Sequence, residues 1–132
     1  MPPHFHVVCA LIERDGRVLV AQRPAGKSQA LLWEFPGGKL EAGEAAESAL
    51  VREIREELCI EIALGEQLRD ARHDYGKFAI TLTPFLATLR DPGVEPHAVE
   101  HAEVRWCTSA ELIALEWAPA DVPIVAEYLA RR

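Results

Sequence analysis

The sequence predicts an α/β fold in which a mixed β-sheet is packed between helices. Three observations predict it. Short apolar segments rich in β-formers are mixed with helical ones along the chain instead of being segregated from them. One helical segment, residues 46–58, carries an apolar stripe of Leu50, Ile54 and Leu58 at i, i+4 and i+8, so it has one face to bury. The length, 132 residues, suits one domain with a real core, and no repeat or linker divides it. Residues 1–132 are therefore expected to form a single domain.

The elements follow in order. Phe5 to Ile12 reads as a buried strand, Asp15-Gly16 as a hairpin turn and Val18 to Ala21 as the returning strand. Residues 24–30 form a loop. Leu31 to Phe35 is a short strand, broken by Pro36-Gly37-Gly38. The helix from about Ala46 to Leu58 has a poor N-cap, because Ala45 accepts no hydrogen bond; Glu47 in its first turn partly compensates. Ile60 to Leu64 and Gln67 to Arg72 read as strands, and residues 74–77 as a turn. Phe78 to Leu89 is a long strand interrupted by Pro84, which suggests an edge or a bulge. Residues 94–101 are loop-like, and Glu103 to Cys107 is a strand. Thr108 and Glu111 make a capping box that opens a short helix to about Leu115. The last helix spans about Val122 to Ala130.

Composition narrows the function. A net charge of −7 argues against a nucleic-acid partner, since phosphate backbones need clustered Lys and Arg. No apolar run approaches the ~20 residues of a membrane span, and the first residues lack the pattern of a signal peptide. Cys9, Cys59 and Cys107 form no CxxC pair, so neither a disulfide framework nor a zinc site is expected. The default compartment is a reducing cytoplasm. Oligomeric state is not encoded in any of these features.

The chemistry concentrates between Gly37 and Ile60. A glycine pair permits close backbone approach. The helix that follows carries Arg52, Glu53, Glu56 and Glu57, whose i,i+3 and i,i+4 spacings put three carboxylates on one side. A solvated acidic face and a site for a hard divalent cation such as Mg²⁺ both fit this cluster. Like charges at that spacing repel, so a cation among them gives the placement a reason.

The spacing decides between these readings. Gly38, five residues, Glu44, seven residues, then Arg52-Glu53-Ile54-Arg55-Glu56-Glu57-Leu58-Cys59-Ile60 resembles the Nudix box at every charged position. One position departs: Cys59 stands where the family has glycine, just past the helix end. A left-handed cysteine there should cost about 1 kcal/mol. The resemblance, which covers nearly the whole chain, implies an α/β/α sandwich. It implies a Mg²⁺-dependent hydrolase (Mn²⁺ as an alternative) of a nucleoside diphosphate linked to another group. It carries Gly38, Glu53, Glu56, Glu57 and, from a late loop, Glu100 (Glu103 second) over as metal contacts. Glu53, Glu44, Arg52 and Glu100 are carried over as catalytic. Arg52 is expected to orient Glu53 or pair with Glu44; Arg52 and Glu44 bracing the loop on the helix is the other reading.

The flanks resemble the MutT-type branch, which converts nucleoside triphosphates to monophosphate and pyrophosphate. Gln22-Arg23-Pro24, residues 33–39 and residues 118–123 carry that likeness. It implies a nucleotide substrate, such as 8-oxo-dGTP or CTP and 5-methyl-dCTP, contacted by Arg23, Phe35, Lys39, Phe78 and Asp121. Arg23 taken alone reads as a surface charge. Asp121 reads as the cap of the last helix, as a contact to the base edge, or as both. His73, His97 and His101 are expected at the surface. Two alternatives remain: a hydrolase of nucleotide sugars or dinucleoside polyphosphates, and a non-catalytic nucleotide-binding module.

Overall fold

A computed structural model of the chain describes residues 2–132. Its strands are β1 (His4–Arg14), β2 (Arg17–Gln22), β3 (Trp33–Glu34), β4 (Gly37–Lys39), β5 (Ile62–Gln67), β6 (Ala71–Asp74), β7 (Ala79–Leu89) and β8 (Glu103–Cys107). Its helices are α1 (Ala46–Leu58), α2 (Ser109–Ala114) and α3 (Val122–Ala130), with a 3-10 turn (Pro119–Asp121) leading into α3. The strands join in one mixed sheet. β1 is parallel to β7 from His4↔Ala79 to Glu13↔Thr88 and antiparallel to β2 and β4. β2 also pairs with β3 and β8, and β7 with β5 and β6.

Alternation along the strands makes two cores. On β1, Val8, Ala10 and Ile12 join Leu50, Ile54 and Leu58 of α1, together with Phe85 and Ala87 of β7. Cys9 and Leu11 face the other way, with Leu112 of α2 and Ile124 and Tyr128 of α3. With both faces covered, β1 is apolar throughout its middle, as a strand buried on two sides must be. The sheet thus lies between α1 and the α2–α3 pair, the α/β/α sandwich that the sequence implies. Leu50, Ile54 and Leu58 are fully buried. Each contributes roughly 1.5–3 kcal/mol of apolar burial, and Ile54→Ala would cost about 2–5 kcal/mol.

The expected local features are largely present. Asp15 and Gly16 both take positive φ in the hairpin turn. Ala45 makes no side-chain cap, Cys59 is left-handed at φ 58, and Thr108 and Glu111 form the capping box. Three expectations are corrected. Pro84 is not on an edge: β7 is paired on both sides, and Pro84 stands where its neighbour changes from β5 to β6. There its carbonyl accepts from the Leu68 N–H at 2.8 Å. The fifth strand begins later and runs on to Gln67, and the sixth is displaced to Ala71–Asp74, because a bulge between Leu64 and Gln67 shifts the register. Asp121 does not cap α3 with its side chain.

Candidate active site

Close packing explains the glycine pair in two ways. A Cβ on Gly37 would collide with the Val8 carbonyl, and one on Gly38 with the Glu53 carboxyl. At Gly37 the clash is with backbone, so only glycine lets β4 lie this close to β1; at Gly38 the added carbon would instead displace the end of the Glu53 side chain. The Glu53 carboxyl is thereby held against the loop. Arg52 holds it from the other side through Nη1 at 3.1 Å. The same guanidinium binds Glu44 in a bidentate fork, at 2.9 and 3.0 Å, and donates to Glu56 at 3.0 Å. Arg52 therefore does both things expected of it, and Glu44 braces the loop on the helix. The Arg52 hydrogen bonds hold Glu44 below the usual carboxylate range, while burial pushes Glu53 up.

Glu57 is different. It points into a cavity of about 500 Å³, and its Oε2 is buried without a hydrogen-bond partner. Burial pushes its pKa up to about 8, with Glu53, Glu100 and Glu34 adding repulsion. A volume of this size suits a small-molecule ligand. Gly38, Lys39, Glu57 and Glu100 line it, as do Arg23, Phe35, Phe78 and Asp121. Glu56 does not: it is largely exposed and turned to Arg52. Glu103 is paired with Arg105 on β8, away from the cavity.

The opposite wall is built by distant parts of the chain. Asp121 is buried, and its Oδ2 accepts from the Phe35 N–H at 2.9 Å across 86 residues of sequence. Burial pushes its pKa well up, and the Glu34 charge pushes further. Tyr75 also lines the cavity; its hydroxyl accepts from the Ala120 N–H at 3.2 Å, and its ring stacks on Phe78 at 5.0 Å. Lys39 lies 4.0 Å from the Phe5 ring centroid.

Besides Tyr75, three charged or polar cavity residues, Glu34, His101 and Lys27, escape sequence reasoning. Glu34 accepts from Arg23 through Oε1 and contacts His101 Nε2 through Oε2, each at 3.0 Å. Arg23 is therefore an internal ion-pair partner as well as a lining residue. His101, expected at the surface, has a side chain only 6% exposed and belongs to the cavity wall. His97 is exposed and His73 half-buried against Tyr75. Lys27, from a loop, also lines the cavity. Period-two alternation had a signal for Glu34, between the buried Trp33 and Phe35; the other two have none.

A model of the NUDIX domain matches residues 7–127. The chain belongs to the Nudix family. It is 42% identical over 128 residues to the CTP pyrophosphohydrolase of Escherichia coli, covering 97% of this chain and 93% of that protein. It is 41% identical over 126 residues to a putative 8-oxo-dGTP diphosphatase of Mycobacterium tuberculosis, covering 92% and 85%. The solution structure of MutT from Staphylococcus aureus superposes with a TM-score of 0.80 at 38% identity, covering all of both chains. Nudix hydrolases generally use divalent metal ions.

The donor set here suits such an ion. The free groups are carboxylate oxygens, which hard divalent cations prefer. The orphaned Oε2 of Glu57, repelled by three other carboxylates, is what a cation would satisfy. Among the described residues no three acidic, His or Cys side chains stand together as a finished cage. The fit is one of donor chemistry, with Glu56 turned outward to Arg52. No helix among the described residues is long and apolar enough to cross a membrane.

Proposed function

We propose that residues 1–132 act as one domain that hydrolyses nucleoside triphosphates to monophosphate and pyrophosphate with Mg²⁺ as cofactor, Mn²⁺ being able to replace it. Oxidised or modified nucleotides such as 8-oxo-dGTP, or CTP and 5-methyl-dCTP, are the substrates. The observation that carries this reading is one cavity lined by both Glu57, a half-buried carboxylate whose Oε2 is buried and orphaned, and Asp121, a buried acid bound to the Phe35 N–H. The relatives named for CTP and for 8-oxo-dGTP support it.

Glu57, Glu53, Glu56, Glu100 and the Gly38 carbonyl would hold the metal. A cation there would neutralise phosphate charge and acidify a bound water. Arg52 keeps Glu53 in place, and Glu44 keeps Arg52 in place. Arg23 and Lys39 supply positive charge for the phosphates, and Phe35 and Phe78 supply apolar walls for the base. Asp121, with its pKa raised, presents a carboxylic acid. Its Oδ2 accepts from the Phe35 N–H and keeps a second lone pair, so the protonated acid donates through its O–H and accepts through its carbonyl oxygen toward the base. That matches cytosine N3 with N4–H₂, and O6 with N7–H of oxidised guanine.

One assay tests the reading. Pyrophosphate release with Mg²⁺ is measured across the ordinary nucleotides, 8-oxo-dGTP and 5-methyl-dCTP. Pyrophosphate and monophosphate are the expected products. Release of inorganic phosphate, or full turnover in EDTA, would reject it.

A further inference from the structure

His101 ties the loop before β8 to Glu34 on β3. The loop before β8 is stitched by its backbone to the end of α1: the His97 N–H donates to Leu58 O at 2.9 Å and the Val99 N–H to Glu57 O at 3.2 Å. These bonds occupy carbonyls that a helix end leaves open. Past His101, the Ala102 N–H donates to Gln22 O at 2.9 Å. Between those anchors lies Glu100, exposed and without any side-chain hydrogen bond among the described residues. The only side-chain hydrogen bond made by residues 97–102, among those described, is His101 Nε2 to Glu34 Oε2 at 3.0 Å. Glu34 needs no help from it, being on β3 and already paired with Arg23. The loop is held by its backbone at Val99 and Ala102, and His101 adds the one side-chain hold between those anchors.

The imidazole is oriented by this contact. Nε2 faces a carboxylate oxygen and must carry the proton it donates, which leaves Nδ1 buried without a partner. An orphaned nitrogen is a poor choice for a position that only fills space, where an apolar residue would carry no such penalty. What the side chain contributes here is its Nε2 donor.

We infer that His101 is a positioning residue: by donating to Glu34 it clamps the loop that carries Glu100 against the cavity wall, and so fixes the reach of Glu100 beside Glu57. This rests on the role proposed above for Glu100. His101 acts through that loop and touches no reacting atom.

The test compares His101→Ala, His101→Gln and the parent. Glutamine places an N–H donor near the position of Nε2; alanine places none. His101→Ala should lower kcat about tenfold to a hundredfold for every nucleotide, the scale of a misplaced group. The Mg²⁺ concentration for half-activation should rise and the ranking of nucleotides stay unchanged. In metal-free protein, hydrogen exchange of the Val99 and Ala102 amides should quicken while α1 amides keep their protection. His101→Gln should restore both kinetics and exchange most of the way. Unchanged exchange and kinetics in His101→Ala would overturn the inference. So would a glutamine variant as impaired as alanine, or exchange raised equally throughout the chain. A parent enzyme that releases no pyrophosphate would instead overturn the proposed function, and the exchange comparison would still decide the role of the clamp.

Discussion

Glu57, half-buried, and Asp121, fully buried, are both acids with raised pKa values in one cavity, yet they are built in opposite ways. Glu57 is carried by a regular helix and has neighbours of its own sign, with Oε2 left without a hydrogen bond. Asp121 sits on a 3-10 turn, and a backbone N–H from β3 satisfies one of its oxygens. The first is an unsatisfied charge that a cation would complete. The second is a satisfied acid that presents its remaining oxygen to the cavity. Glu34 lies close enough to both to raise each of them. The difference assigns charge chemistry to the α1 side and recognition to the 3-10 side.

The largest expected effect breaks the α1 side. Glu57→Gln should lower kcat by about a hundredfold or more, the scale on which positioned catalytic groups act. Asp121→Asn should leave the metal requirement intact. Steady-state rates against Mg²⁺ concentration check both. If Glu57→Gln retained parental kcat, the α1 side would have lost its assigned role.

The same carboxylate should also tax the metal-free fold. Its folded pKa, about 8, lies above the unfolded value of ~4.3. Between these values the native state holds more protons than the unfolded one, so stability falls as pH rises through the window. Glu57→Gln removes that loss. Discounted for partial exposure, the variant should be more stable than the parent by on the order of 1–2 kcal/mol above pH 8, and no more stable near pH 4. Thermal melts in EDTA at the two pH values measure this. Equal melting temperatures at both would show that Glu57 is ordinary in the folded state.

The two sides were also unequally legible in the sequence. The helix and its apolar stripe follow from spacing of a few residues, which one helix converts directly into geometry. The Arg52 and Glu44 brace and the left-handed Cys59 are expected from the resemblance to the Nudix box. The base side depends on contacts across long separations. Asp121 meets Phe35 86 residues away, and His101 meets Glu34 67 residues away. A cap was the local reading for Asp121, and a surface position the local reading for His101; tertiary contacts overrode both. Of the two readings for Pro84, the edge fails and the bulge is found beside it: the β5–β7 register shifts between Leu64 and Gln67, opposite Phe85 to Ala87, and Pro84 stands where the neighbour changes from β5 to β6.

A smaller effect sharpens the recognition side. Asp121→Asn should shift relative kcat/KM among 8-oxo-dGTP, dGTP and CTP by about tenfold, the worth of a mispaired buried group. Protonated Asp121 donates and accepts; ionised, it only accepts. The parent should therefore lose preference for bases that present an acceptor beside a donor as pH rises through its raised pKa. The asparagine variant should show no such fall, because its amide does not titrate. Competition assays across pH read both effects. An unchanged ranking in Asp121→Asn and Asp121→Ala would mean that the base is read elsewhere.

The smallest effect lies between the two sides, at the end of α1. Cys59 adopts φ 58 and ψ 35, with its N–H on Arg55 O at 3.1 Å. A non-glycine residue in this region is strained by roughly 1–2 kcal/mol. Glycine removes the strain and adds unfolded-state freedom that costs ~0.5–1 kcal/mol. Cys59→Gly should therefore stabilise the fold by a few tenths to about 1 kcal/mol. The side chain is exposed and far from hydrogen bonding with either acid, so kcat and the nucleotide ranking should stay at parental values. Denaturant unfolding resolves a change of this size when the m-value is unchanged. A clear loss of stability would mean that the cysteine makes a contact worth more than the strain it bears. A gain in stability with a fall in kcat would mean that the strain at this helix end is part of how Glu57 is presented to the cavity.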